Sequence, residues 1–130
     1  MADATLLLIA HGSRHFGAND DLLHLVGELK KRGWPVVEAA FLELASPTID
    51  EGAQSCVRQG ARQVVLMPYF LSAGVHVQRD LTAAREKLAA RFPDVRFILA
   101  EPLGRHPLLL EIVVARVEKA LLPTSDSLPD

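Results

Sequence analysis

The residues best able to do chemistry stand in two short loops. Thr5-Leu6-Leu7-Leu8-Ile9-Ala10 runs into His11-Gly12-Ser13-Arg14, and a later apolar run leads into Pro68-Tyr69-Phe70-Leu71-Ser72-Ala73-Gly74-Val75-His76. A neutral imidazole binds borderline divalent metals and accepts a proton near neutral pH. Glu43, just past another apolar run, adds a carboxylate. Two imidazoles and one carboxylate make an open, incomplete coordination set. Each histidine alone is equally compatible with a loop-capping role; the two together with Glu43 argue for a site. Arg14, Arg79 and Arg105 follow strand ends or open a helix, where a guanidinium either serves solubility or clamps carboxylate or phosphate in a fork. The apolar loop residues Tyr69, Phe70, Leu71 and Val75 would floor a flat hydrophobic ligand or belong to ordinary core. Gly74 would relieve a tight backbone beside the ligand. Of the other histidines, His15 sits in a polar loop as a possible substrate contact, His24 reads as a helix-surface residue, and His106 as a cap or rim residue before Pro107.

These loops need elements to hold them. The first strand is expected over residues 5–10, a run buried on both faces of a sheet. A helix capped near Asn19 follows to about Arg32, with Leu22, Leu25, Val26 and Leu29 on one face and Gly33 as its stop. Val36 to Leu42 is the second strand. Ser46-Pro47 reads as a helix start, Ser as N-cap and Pro at the first helical position, with Asp50 and Glu51 favourable to the dipole. Ile49, Ala53, Cys56 and Val57 form that helix's buried face, and Gly60 ends it. The third strand is Gln63 to Met67, and a helix from about Gln78 to Arg91 buries Leu81, Ala84 and Leu88. Val95 to Leu99 is the fourth strand. A last helix from Pro107 is expected to bury Leu109, Ile112, Val113, Val117 and Ala120. Residues 1–122 form one domain and 123–130 a flexible C-terminal tail.

Strands alternating with helices imply an α/β fold, a doubly wound parallel sheet with helices on both faces. The expected order is 2-1-3-4, the flavodoxin-like winding. Its switch point lies between strands one and three, where ligands bind. That places the His11 and His76 loops on one crevice with Glu43 beside them.

Composition narrows the class. The chain has 130 residues, 49% of them hydrophobic, enough for one domain with a real core. The formal charge is −2 without a basic stripe, so nucleic acid is not an expected partner, and anion binding would have to be local. The lone Cys56 excludes an internal disulfide and a cysteine-based zinc site. The first apolar run is too short to span a membrane and lacks a basic lead-in, so a cytoplasmic protein without a membrane partner is expected. No G-x-G-x-x-G or G-K-[ST] follows the first strand, which excludes the common nucleotide loops. G-x-S-x-G is absent, and Asp50, Asp80 and Asp94 are not placed as a receiver cluster.

The segments LLLIAHGSR, FLELASPTIDEG, MPYFLSAGVHVQRDL and PLGRHPLL, in this order, resemble the small class II chelatases, the sirohydrochlorin chelatases of cobalamin and siroheme biosynthesis. The likeness spans about residues 5–121. It implies insertion of a divalent metal (cobalt or iron, in some members nickel) into a tetrapyrrole, with no organic cofactor. It implies His11 and His76 as the metal-site and catalytic histidines, Glu43 as the acidic residue, and residues 71–76 (Leu71, Ser72, Ala73, Gly74, Val75 and His76) as the substrate loop. Half-size members usually dimerise, so a homodimer is implied. The histidine-rich segment of some small members is missing here. Because sirohydrochlorin bears many carboxylates, Arg14 and Arg105 are expected as peripheral clamps. Two other classes compete: a non-enzymatic divalent-metal carrier or sensor using the same histidines, and a phosphohistidine enzyme suggested by His11-Gly12. The latter is disfavoured because Ala10 stands where such enzymes usually place an arginine.

Overall fold

A computed structural model describes residues 4–123. The chain alternates β1 (Thr5–Ala10), α1 (Phe16–Lys31), β2 (Val37–Phe41), α2 (Ile49–Arg58), β3 (Gln63–Pro68), α3 (Val75–Arg91), β4 (Arg96–Leu99) and α4 (Pro107–Leu121). All strands are parallel, in the order β2-β1-β3-β4. The expected winding is therefore present, and β1 lies between β2 and β3 at its centre. Residues 124–130 of the expected tail lie outside the described residues.

Side chains of β1 alternate between two apolar layers, as strand pleating requires. Leu7 and Ile9 pack with Ala53, Cys56, Leu81 and Leu88 of α2 and α3, and with Val64, Leu66 and Phe97 of the neighbouring strands. Leu8 packs with Leu22 of α1 and with Val37, Ala39 and Phe41 of β2 on the opposite face. Cys56 is fully buried in the first layer, and burial pushes its thiol up to about 12, with Glu38 adding in the same direction.

Four local expectations are corrected. Helix α1 starts at Phe16, not near Asn19; the Asn19 amide instead donates to the Ser13 carbonyl at 2.9 Å and ties the β1–α1 loop down. Helix α2 starts two residues after Ser46-Pro47, which is a cis peptide. Thr48 wins the cap because it forms a full capping box with Glu51, satisfying two backbone donors at once. Helix α3 starts at Val75, so His76 belongs to its first turn rather than to the loop.

The fourth correction is the largest. Helix α4 exists, with Pro107 at its first position and the His106 ring accepting from the Leu108 N–H at 3.1 Å, but it buries nothing. Ile112, Val113, Val117 and Ala120 are all exposed and Leu109 is only half-buried. Leu110, Val113, Val114, Val117 and Leu121 form an i, i+3, i+4, i+7, i+11 stripe that none of the described residues covers. On the sheet face shared with α1, Val65 and Ile98 pair in register across β3 and β4 and remain half-buried, outside both core clusters. Helix α1 packs on β1 and β2. The face that a packed α4 would close is thus left open.

Candidate functional site

The four loops at the carboxyl ends of the strands are laced together through their backbones. Past the β1–β2 pairing, Leu42 N–H donates to Ala10 at 2.9 Å and Glu43 N–H donates to His11 at 3.0 Å. Tyr69 N–H donates to Ile9 at 2.6 Å, and Leu103 N–H donates to Phe70 at 3.1 Å. Two glycines make this lacing possible. Gly12 has φ +97°, and a Cβ there would collide with the Glu43 carbonyl. At Gly104 a Cβ would collide with the Leu71 carbonyl. Glu43, His11, the Phe70 loop and the Arg105 loop therefore form one crest along the edge of the sheet.

His11 stands on this crest, exposed, one residue past β1. Its ring leans on Phe70, with centroids 4.6 Å apart and planes 32° from parallel. That contact steadies the imidazole while leaving its nitrogens open to a ligand. Glu43 and His76 are also exposed. His76 rises from the first turn of α3, which follows β3, the strand beside β1. Among the described residues, no three His, Cys, Asp or Glu side chains converge to hold a metal ion. The arrangement provides individual donors at an open edge, not a cage.

The expected substrate residues divide between two depressions. One, of about 550 Å³, lies over β3 and β4 and is lined by Leu71, Ser72 and Ala73 together with Glu101, Gly104 and Arg105. The other, of about 510 Å³, lies over β1 and β2 and holds Arg14. Val75 is 71% exposed and lines a shallow groove with Ala73 and Arg79 on the outer side of α3. Gly74 departs from expectation. Its φ is −67° and a Cβ there would meet nothing within 4 Å, so it caps α3 without being needed for close approach. Tyr69 belongs to the α1-side core cluster and Phe70 is the brace of His11. Sequence reasoning missed Gly12, Gly104, Leu44 and Glu101. A glycine directly after a strand-end histidine was the available signal for the first; the other three become visible only once the loops are folded against each other.

A parallel sheet of order 2-1-3-4, with exposed histidines and a carboxylate beyond its strand ends, defines an α/β protein of the flavodoxin-like winding, whose switch point is where such sheets take ligands. The chain belongs to the CbiX family, whose model matches residues 5–120. It is 38% identical over 117 residues to the chloroplastic sirohydrochlorin ferrochelatase of Arabidopsis thaliana, covering 89% of this chain and 52% of that protein. It is 35% identical over 116 residues to the sirohydrochlorin cobaltochelatase of Sulfolobus acidocaldarius, covering 89% of this chain and 91% of that protein. The solved structure of SirB from Bacillus subtilis with Fe³⁺ superposes with a TM-score of 0.82 at 30% identity, covering 93% of this chain and 48% of that one. The chain thus spans about half the length of the Arabidopsis and Bacillus proteins and most of the Sulfolobus one. Among the described residues, no helix is long and apolar enough to cross a membrane.

Proposed function

We propose that this chain inserts a divalent metal ion, Co²⁺ or Fe²⁺, into sirohydrochlorin, working as a homodimer in the cytoplasm. The observation that carries the reading is the crest itself: an exposed His11 steadied by Phe70, tied by a backbone hydrogen bond to Glu43, and flanked by depressions holding Arg14 and Arg105. Insertion removes two N–H protons from the macrocycle as one M²⁺ enters, so charge is conserved on the ring. A neutral His11 takes the two protons from the pyrrole nitrogens one after the other as general base, each handed on toward Glu43 before the next is taken. His76 presents a second imidazole to the incoming metal from α3. Glu43 offsets the charge gathering at the crest and passes a proton toward solvent. The guanidinium groups of Arg14 and Arg105 pair with peripheral carboxylates and hold the ring over the crest.

The dimer is supported by α4. Its uncovered stripe and the open β3–β4 face around Val65 and Ile98 are complementary deficits. Exchange of α4 between two copies would close both.

The decisive measurement mixes the purified chain, sirohydrochlorin and Co²⁺ and follows the absorption spectrum. The parent chain should accelerate the change. His11→Ala and His76→Ala should each slow it by about 10²-fold or more, the usual loss for a general base. Glu43→Gln should fall between, and His24→Ala on the exposed side of α1 should match the parent. A chain that binds Co²⁺ without accelerating the change would be a carrier, and the proposal would fall.

A further inference from the structure

Leu44 has φ +64°, in the left-handed region. Glycine enters that region freely and asparagine or aspartate at small cost, whereas a leucine there is strained. Strain of this kind persists only when something in the surroundings or in function requires the residue. Burial does not supply the reason, because the Leu44 side chain is 52% exposed. The backbone does fix its position. The preceding residue, Glu43, is bonded to His11, and Phe41 N–H donates to the Pro47 carbonyl at 2.9 Å on the other side of the turn. Leu44 is thereby held in register beside the crest.

The side chain lines the depression that contains Arg14. Leu23 of α1 lines it too and is 54% exposed, so two large apolar side chains meet water at one spot beside a guanidinium. Asn19 adds a polar wall, and Asp20 is the one carboxylate among the lining residues. An apolar shelf next to a single fork-shaped cation suits a ligand with a flat apolar body and a carboxylate on its edge. We infer that Leu44, with Leu23, is the apolar shelf that binds one edge of the tetrapyrrole ring, placed so that a ring carboxylate reaches Arg14. This rests on the metal-insertion reading above and adds to it a residue that binds ring rather than metal. A leucine that costs stability in the free chain and covers little there gains its value when the ring excludes water from it.

The test compares Leu44→Gly and Leu44→Asn with the parent and with His24→Ala. Both substitutions suit a left-handed backbone, so both variants should fold and melt at or above the parent temperature. Metal-free sirohydrochlorin is titrated into each protein by absorption, and Co²⁺ insertion gives kcat and KM. The dissociation constant and KM should rise about tenfold, the effect of losing part of one buried leucine contact, with kcat within about twofold of the parent. Unchanged affinity and KM in the Leu44 variants would overturn the inference. So would a fall in kcat alone, or a loss of dimer mass in light scattering with tetrapyrrole affinity intact, which would make Leu44 a subunit contact. If the parent neither binds nor metallates sirohydrochlorin, the functional reading fails and the shelf fails with it. If the parent works and the variants match it, only the shelf fails.

Discussion

Replacing Val113 with glutamate tests whether α4 is made for a second copy of the chain. The stripe of Leu110, Val113, Val114, Val117 and Leu121 is 64%, 58%, 43%, 52% and 78% exposed. Fully burying such a side chain contributes about 1.5–3 kcal/mol, so covering what remains exposed contributes about 1–1.5 kcal/mol each. That is about 5–7 kcal/mol per helix and about 10–15 kcal/mol when two helices are exchanged. A micromolar dimer needs a net of about 8 kcal/mol after the cost of association. The stripe therefore suffices only if nearly all of it is covered. Val113→Glu removes about 1 kcal/mol of transfer per helix and leaves a carboxylate to be buried without a partner, a cost of at least ~1 kcal/mol more. Symmetry doubles the loss to at least ~4 kcal/mol, about 10³-fold in dissociation constant. Because α4 buries no side chain in the single chain, the variant should remain folded, with a circular dichroism spectrum like the parent's. Light scattering across the micromolar range should give a dimer for the parent and a monomer for the variant. A parent that is monomeric throughout, or a variant that keeps the parent's mass, would refute the reasoning.

Three further outcomes follow from local geometry. Gly12→Ala places a Cβ against the Glu43 carbonyl at a φ of +97°, so urea unfolding should show a loss of at least ~2 kcal/mol, and insertion should fall because His11 and Glu43 lose their register. Thr48→Ala removes the capping box of α2 and should cost about 1 kcal/mol in the same assay while sparing insertion, since α2 contributes no group to the crest. The Cys56 thiol is pushed from 9.0 up to about 12, so folding keeps it protonated where an unfolded chain would ionise it. Its stabilising effect is complete below about pH 9 and is lost as pH rises toward about 12, because only the unfolded state then releases the proton. Denaturant midpoints should therefore decline above pH 9. Native protein should resist alkylation of Cys56 at pH 8, and a Cys56→Ala variant should show less of the alkaline decline.

Periodicity and punctuation in the sequence determined the element order, the parallel sheet and its winding. The reason is local: the run Leu6 to Ile9 reads as a strand in any context, Gly33 and Gly60 end helices through positive φ, and alternating strands and helices admit few connections. The places of His11 and Glu43 were legible for the same reason, since a residue just past a buried strand falls at the carboxyl edge of the sheet wherever that sheet is built, whereas His76 proved to stand in the first turn of α3 rather than in the loop after β3. Tertiary structure alone decided what those residues meet. Phe70 reaches the His11 ring from about sixty residues away, and Gly12 meets Glu43 and Gly104 meets Leu71 across gaps of about thirty residues, approaches that no periodicity encodes. Competition between neighbouring caps also lay beyond pattern: Ser46-Pro47 and Thr48 are both acceptable starts, and the Glu51 side chain chose the second. The clearest divergence is α4. Its amphipathic spacing says that a face must be buried but not against which molecule, and in the folded chain Leu110, Val113 and Val117 stay in water. An apolar stripe records a demand for burial, whereas the chain that meets it is a property of the assembly.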